Sequence, residues 1–407
     1  MKEFDIAIIG GGMVGLALAQ ALKDTDCSIA VIEAHIPAFQ LETVMNRVSA
    51  LNLSSETMLR QFGVWQQLQA WRATAYEKMQ VWEKDSFAHI QLDTQNLGVD
   101  HLGHIVENQL IRQALYQAVL QQENAELLVA TPTSLGVNEN NAVLSLANGE
   151  IIVAKLVVGA DGANSWLREQ MHMPINFRDY QHSALVCNVE TVEPHQQICR
   201  QIFSPDAILA FLPLHQPHLS SIVWSQDPVK AKQLMNCDEE SFNRQLTTAF
   251  DGRLGLCRVV SARHSYPLCA RFARHFIQHH VALMGDAAHT IHPLAGLGVN
   301  LGFMDALALA EEIQKNLAKN QDIGAYRHLR HYERWRKTEA MKMLVAMQGF
   351  RDLFAGDQPI KKLLRGIGMS VTDKLQPLKQ QFILQATGLS GDLPQRVKKI
   401  DLFTLDS

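Results

Sequence analysis

FDIAIIGGGMVGLALAQAL, residues Phe4 to Leu22, reads as an apolar strand broken only by Asp5, a glycine turn and a helical pattern. In Gly10-x-Gly12-x-x-Gly15 the first glycine makes the turn and the second lets a pyrophosphate approach the backbone. The third lets helix and strand pack closely. A second strand, Ser28 to Ile32, ends at Glu33, eighteen residues past Gly15 (33 − 15). That is where a carboxylate accepts ribose hydroxyls, and an acid there favours an adenosine without a 2'-phosphate. Strand, glycines, helix, second strand and terminal acid occur in order, so the spacing predicts a dinucleotide-binding α/β domain.

Two later segments repeat the layout of a strand ending in glycine and acid. Ile151 to Val158 leads into Gly159-Ala160-Asp161-Gly162, followed by Ser165 and Arg168. Asp-Gly alone is a common turn pair, but here Ser165 and Arg168 follow at a spacing that puts both on one helical face. Val281 to Met284 stops at Gly285-Asp286, where a buried parallel strand delivers a carboxylate to the edge at which open α/β sheets bind ligands. Pro293, Gly296, Gly298 and Gly302 then let the backbone pass close to something flat or anionic before a helix begins near Val299. A flavin is expected there. Arg47, in Asn46-Arg47-Val48-Ser49-Ala50-Leu51-Asn52, reads either as a cofactor contact or as an ion-paired surface residue.

At 407 residues the chain exceeds what one core holds, and two domains are expected. With 47% hydrophobic and 19% charged residues and a net charge of −4 it is neither disordered nor a nucleic-acid binder with a basic footprint. A small-molecule partner fits better. Six cysteines without a CxxC pair read as reduced thiols, in keeping with a cytoplasmic setting. The start runs directly into a strand with no signal-peptide layout, and no apolar run reaches the roughly 18 residues of a spanning helix.

Met79 to Leu92 alternates like half-buried antiparallel strands. His101-Leu102-Gly103-His104-Ile105-Val106-Glu107-Asn108 reads as a turn into a helix running to Val119. Strand-like segments then follow at Ala184 to Val189, Gln201 to Phe203, Ile208 to Leu212, Leu219 to Val223 and Arg258 to Tyr266. Trp224, Phe203 and Phe211 line an apolar pocket or belong to the core. His182, His215 and His218 have no ligand spacing, and no metal is expected. Beyond the helices at Ala306 to Ile313 and Tyr326 to Met347, an apolar stripe from Ile360 to Phe382 flanked by lysines either meets a membrane surface or partner, or packs on its own domain.

Gly10-x-Gly12-x-x-Gly15 with Glu33, Asp161-Gly162 with Arg168, and Gly285-Asp286 together resemble the class A flavoprotein aromatic hydroxylases, the family of p-hydroxybenzoate hydroxylase. Asn46 to Asn52, Gly285-Asp286-Ala287-Ala288-His289 with His292-Pro293, and Met347-Gln348-Gly349-Phe350-Arg351-Asp352-Leu353-Phe354 are similar to the ubiquinone-biosynthesis hydroxylases. His101 to Asn108 and the tail most resemble the bacterial 2-polyprenylphenol 6-hydroxylases. The likeness covers nearly the whole chain. It implies a Rossmann-like FAD-binding domain with an inserted antiparallel-sheet substrate domain and C-terminal helices. The expected division is FAD-binding parts at 1–78, 101–178 and 269–345, substrate-domain segments at 79–100 and 179–268, and a helical region at 346–407.

The resemblance also implies roles. Gly10, Gly12 and Gly15 hold the FAD pyrophosphate, Glu33 the adenosine ribose, and Arg47 touches FAD. Gly285 and Asp286 lie near the ribityl and pyrophosphate. Asp161, Gly162 and Arg168 serve FAD and NAD(P)H. Pro293, Gly296, Leu297 and Gly298 wall the flavin ring, with Val299 and Asn300 completing the loop, and no side-chain acid or base is assigned. Leu297 departs from the family's usual glutamine, and Asn108 stands where many relatives carry arginine. The implied reaction is NAD(P)H-dependent hydroxylation of a polyprenylphenol by molecular oxygen through a flavin C4a-hydroperoxide, in a closed cavity between the 179–268 sheet and the Pro293 loop. The alternatives are another phenolic substrate, or a non-catalytic flavoprotein scaffold. A halogenase is disfavoured, since the chain has no Trp-x-Trp-x-Ile-Pro segment. A homo-oligomer, contact within a biosynthetic complex and a peripheral position at the inner membrane stay open.

Overall fold

The computed structural model describes residues 1–36, 38–86, 89–94, 98–291, 298–354 and 376–398. Its first sheet has eight strands among the described residues. Lys2–Ile9 lies in the middle, parallel to Ile29–Glu33 on one side and to Ile151–Gly159 on the other. Val281–Leu283 adds in parallel beyond Ile151–Gly159, and Ala125–Val129 beyond Ile29–Glu33. The strands read as apolar runs because helices cover them: Ile6, Ala7 and Ile8 are fully buried. Register decides where the motifs go. Ile9 pairs with both Ile32 and Gly159, and Gly159 pairs with Leu283. Gly10, Glu33, Asp161 and Gly285 therefore emerge side by side at one edge.

The glycine turn and the last motif interlock through Val14 of the Met13–Ala21 helix. A Cβ on Gly302 would stand 2.7 Å from Val14 Cγ2, and one on Gly285 3.3 Å from the Val14 methyls. Gly10, at φ +108°, would place a Cβ 2.4 Å from the Ala160 carbonyl oxygen. A side chain at any of these positions would push two motifs apart.

Among the described residues a nine-stranded sheet forms the second layer. Its order runs His289–Thr290, His264–Ala273, Ile175–Thr191, Leu219–Gln226, Ala207–Pro213, Ile198–Ser204, Lys78–Glu83, His89–Asp93, with Cys257–Val259 paired beside Ile175–Thr191. His289–Thr290 pairs with Arg271 and Phe272, tying this sheet to the Gly285 segment. The Met79 to Leu92 hairpin is as expected. Arg258 to Tyr266, expected as one strand, is two, because the chain leaves the sheet between Val259 and His264. Gly103–Glu107, expected as a turn, is a strand between Val48–Asn52 and Ala73–Tyr76 in a third, three-stranded sheet.

Two helices, Pro228–Asn236 and Glu239–Ala249, cover the far face of the nine-stranded sheet. Asp227 and Asp238 cap them, each accepting backbone N–H groups of the first turn. Phe211 stacks on Phe250 at 3.8 Å, and Trp224 meets Phe242 edge-on. Phe203 packs with Val81, Ile90 and Ile208. For Phe211 and Trp224 the core reading holds, while strand alternation puts Phe203 on the opposite face of the sheet, where it is buried.

Among the described residues no helix is long and apolar enough to cross a membrane. Most of the tail stripe, from Ile360 to Leu375, lies outside the described residues. The part beyond it packs on the chain's own body: Ile383 is buried, Leu53 N–H donates to the Thr387 carbonyl, and Ser54 Oγ donates to that of Gly388.

Candidate flavin site

The Met13–Ala21 helix opens on Gly12 with no side-chain cap and no acid in its first turn. A Cβ on Gly12 would meet nothing within 4 Å. Free N–H groups at a helix start, with open space before them, form a cradle for an anionic pyrophosphate. Glu33 Oε2 accepts the Gly11 N–H at 2.8 Å and Oε1 that of His35 at 3.1 Å, so the acid also shapes the turn. Arg112, which sequence reading missed, donates to the Gly11 carbonyl at 2.7 Å and lies 3.4 Å from Glu33. The signal was a lone arginine in the first turns of an otherwise apolar and amide-rich helix.

Asp286 stands beyond the strand end with its carboxyl open to solvent, yet enclosed by protein as on the floor of a cleft. That enclosure pushes its pKa above the usual carboxylate value, against the pull of His289, Arg47 and Arg271. Arg47 is exposed; its guanidinium lies over the Tyr266 ring at 5.4 Å, and its charge acts on Asp286.

The other expected site residues divide into those that face the cleft and those that brace it. Asp161 Oδ2 accepts the Leu167 N–H at 3.1 Å, while Oδ1 is buried without a partner. Gly162 turns at φ +83°. Arg168 is buried and donates to the carbonyls of Ala287 and Ala163, both at 2.9 Å. It ties the Asp161 loop to the Gly285 loop from behind. Gly298 and Val299 begin the Gly298–Ala318 helix. Asn300 there is buried, donating to the Ala50 carbonyl at 2.8 Å and accepting the Asn52 N–H at 3.1 Å. Pro293, Gly296 and Leu297 lie outside the described residues.

The central brace is Asp305. It is fully buried in the Gly298–Ala318 helix, where Oδ2 accepts the Gly285 N–H at 3.0 Å and His289 Nε2 at 2.6 Å. Oδ1 accepts Arg336 Nε at 2.7 Å. An acid inside the apolar run Leu301 to Ala310 was the available signal, since such acids are rarely buried unless paired.

His101 to Asn108 braces the Arg47 segment. Glu107 accepts the Met45 N–H at 2.7 Å and Arg72 Nε at 2.6 Å, while Arg72 also donates to the carbonyls of Leu41 and Thr43. The Asn108 N–H donates to the Arg47 carbonyl at 3.0 Å and its side chain accepts Ser49 Oγ at 2.7 Å. Glu56 holds the start of this segment, with His101 Nε2 at 2.8 Å and His104 Nδ1 at 3.0 Å from one oxygen and Arg60 on the other. These three side chains have metal-ligand chemistry and lie within 4.8 Å of one another, but Arg60 already supplies a positive charge to the carboxylate. Burial pushes Glu56 up, and the hydrogen bond from His101 with the close approach of the His104 ring outweighs it, so its pKa is depressed below the ordinary 4.5. Such a group adds stability above the unfolded value that is lost as pH falls below it. Glu56→Gln is therefore expected to lower stability by on the order of 3 kcal/mol at neutral pH. Denaturant titrations should show the deficit narrowing below about pH 4.5; a constant deficit would contradict the assignment.

The glycine cradle, the terminal acid and the cleft carboxylate fit FAD. This fold and edge define the FAD-dependent aromatic monooxygenases. The family described as FAD binding domain matches residues 3–345, and the chain belongs to it, within the branch of the ubiquinone-biosynthesis hydroxylases. It is 35% identical to the 3-demethoxyubiquinol 3-hydroxylase of Escherichia coli, over 95% of this chain and 98% of that one. It is 33% identical to the mitochondrial ubiquinone biosynthesis monooxygenase of Xenopus tropicalis, over 94% and 93%. The crystal structure of p-nitrophenol 4-monooxygenase from Pseudomonas putida superposes with a TM-score of 0.79 at 19% identity, covering 96% and 99%.

Proposed function

We propose that the chain hydroxylates the ring of a polyprenylated phenol in ubiquinone biosynthesis, with NAD(P)H as reductant and molecular oxygen as co-substrate. The observation that supports this reading is the face of the nine-stranded sheet turned toward the flavin cleft. Tyr266 under Arg47, Asn188 donating to the Val44 carbonyl and Ser221 donating to that of Asn46 mark this face. Strand alternation and register put Ala184, Val186, Ala210, Val223 and Leu268 on it as well. Its polar members are Gln201, opposite Ala210, and the His182–Ser225 pair at 3.1 Å.

Such a floor suits a neutral ring. Its small apolar side chains exclude water, and Gln201 and His182 offer hydrogen bonds to phenol oxygens. FAD, when bound, supplies the activation of oxygen. Residues of the glycine turn and the Asp286 cleft orient it, and the apolar floor keeps the reacting end dry.

A deletion strain tests the reading: ubiquinone should disappear and a polyprenylphenol accumulate. If ubiquinone persists and no polyprenylphenol builds up, the substrate is wrong. The mass and hydroxylation pattern of the accumulated compound give the ring position. Purified protein that takes up FAD but oxidises no NAD(P)H in the presence of that compound would favour a non-catalytic role.

A further inference from the structure

We propose that the groove between the Tyr326–Phe354 helix and the ends of strands Ile175–Thr191 and His264–Ala273 carries the isoprenoid tail of the substrate out of the ring pocket. This assignment rests on the polyprenylphenol reading. The groove has a volume of about 410 Å³. Tyr180, Ala270 and Leu344 form its inner wall. The same three pack in one apolar cluster with Ala184, Leu268 and Val223, which belong to the floor of the ring pocket. The groove is thus a continuation of that floor.

At its outer end Phe177, Met341 and Val345 are 58%, 40% and 63% exposed. Large apolar side chains gathered at the mouth of an apolar groove, rather than scattered, mark a place where hydrocarbon is covered by something else. A ring substrate needs no such exit. One with a long hydrocarbon substituent does, because the tail has to leave a closed, dry pocket without crossing polar backbone. Asn176, Arg178 and Gln348 share the lining with these apolar side chains, and the Arg271 guanidinium lies 5.9 Å from the Phe177 ring centroid.

The test uses FAD-loaded full-length protein and two phenols that differ only in carrying a geranylgeranyl group or a methyl group. Val345→Asp and Phe177→Ser alter exposed positions, so both variants should fold, with near-ultraviolet circular dichroism and flavin content as checks. The KM for the geranylgeranyl phenol should rise about five- to thirtyfold in either variant, since an apolar contact worth a kilocalorie or two is removed. For the methyl phenol it should change less than about twofold. An unchanged ratio of the two KM values overturns the groove. So does a wild-type protein that prefers neither phenol, in which case its turnover of both leaves the proposed reaction standing. Turnover of neither phenol by the wild type overturns the reaction and the groove together. Weaker binding of the variants to anionic phospholipid vesicles at an unchanged KM ratio would assign the patch to a membrane surface instead.

Discussion

Asp305→Ala is expected to cost about 3–5 kcal/mol of stability and to release FAD. The carboxylate is fully buried beside the 2%-exposed side chains of His289 and Arg336. Burial pushes its pKa up, and the charges of His289 and Arg336 outweigh this and hold it below the ordinary value. Removing it leaves the Arg336 guanidinium enclosed without its counter-charge, and that uncompensated charge is the source of the large penalty. It also frees the Gly285 N–H, the atom that sets where the chain turns toward Asp286. Urea unfolding of the FAD-free protein measures the first effect and flavin retention on gel filtration the second. A double variant separates them. Asp305→Leu with Arg336→Met replaces the ion pair by apolar volume and should recover much of the stability. Flavin retention should stay low, because nothing then accepts the Gly285 N–H. Recovery of both together would show that Asp305 only stabilises the fold and does not position the cofactor segment.

Asp305 also shows what sequence reading reaches and where it stops. The turn at Gly10, the acid at Glu33 and the two Gly-Asp strand ends were legible because each is dictated by short-range backbone rules: where a strand stops, which glycine must turn, which end of a helix is bare. That the three motifs meet at one sheet edge was legible only as an analogy, since adjacency follows from the register of strands more than a hundred residues apart. The bracing itself was not legible, even where Arg168 and Asn300 were expected at the site. Asp305, Arg112, Arg168 and Asn300 act on backbone atoms brought near them by the fold, and nothing in their own neighbourhoods names the partner. Resemblance placed Arg168 among the cofactor contacts, whereas its guanidinium is spent on two carbonyls behind the loops.

The missed elements have similar causes. Gly103–Glu107 is short, and its partners are remote strands at 48–52 and 73–76. Ile175–Thr191 begins well before Ala184, through the mixed polar and aromatic run Asn176 to Gln181, because an irregularity between Asp179 and His182 lets the strand bend while still pairing with 269–273. The two helices over the sheet were readable from Asp227-Pro228 and from Asp238-Glu239-Glu240, both ordinary helix starts. The strand-like segments expected on either side left this stretch unassigned.

Asp286→Ala should weaken FAD binding by about ten- to a hundredfold while leaving the FAD-free protein as stable as before. The two halves of that expectation come from the same geometry. Among the described residues no hydrogen bond involves the Asp286 carboxylate, in contrast to Asp305, and its enclosure raises its pKa. A carboxylate so placed contributes nothing to the fold in the absence of a ligand. Its value appears only when a hydroxyl or N–H group of the bound cofactor reaches it, and a hydrogen bond to a charged acceptor is worth about 1.5–3 kcal/mol. Flavin fluorescence titration gives the affinity, and thermal unfolding with and without FAD gives the linked stabilisation, which should shrink in the variant by the same free energy. Asp286→Asn keeps an acceptor without the charge and should fall between. Since the pKa of Asp286 lies above the usual carboxylate range, wild-type affinity should decline on acidification sooner than an ordinary carboxylate would give, and the alanine variant should lose that pH dependence. If the variant binds FAD as tightly as the wild type, Asp286 is not a cofactor anchor. An equal loss of stability in the FAD-free protein would instead make it a structural residue like Asp305.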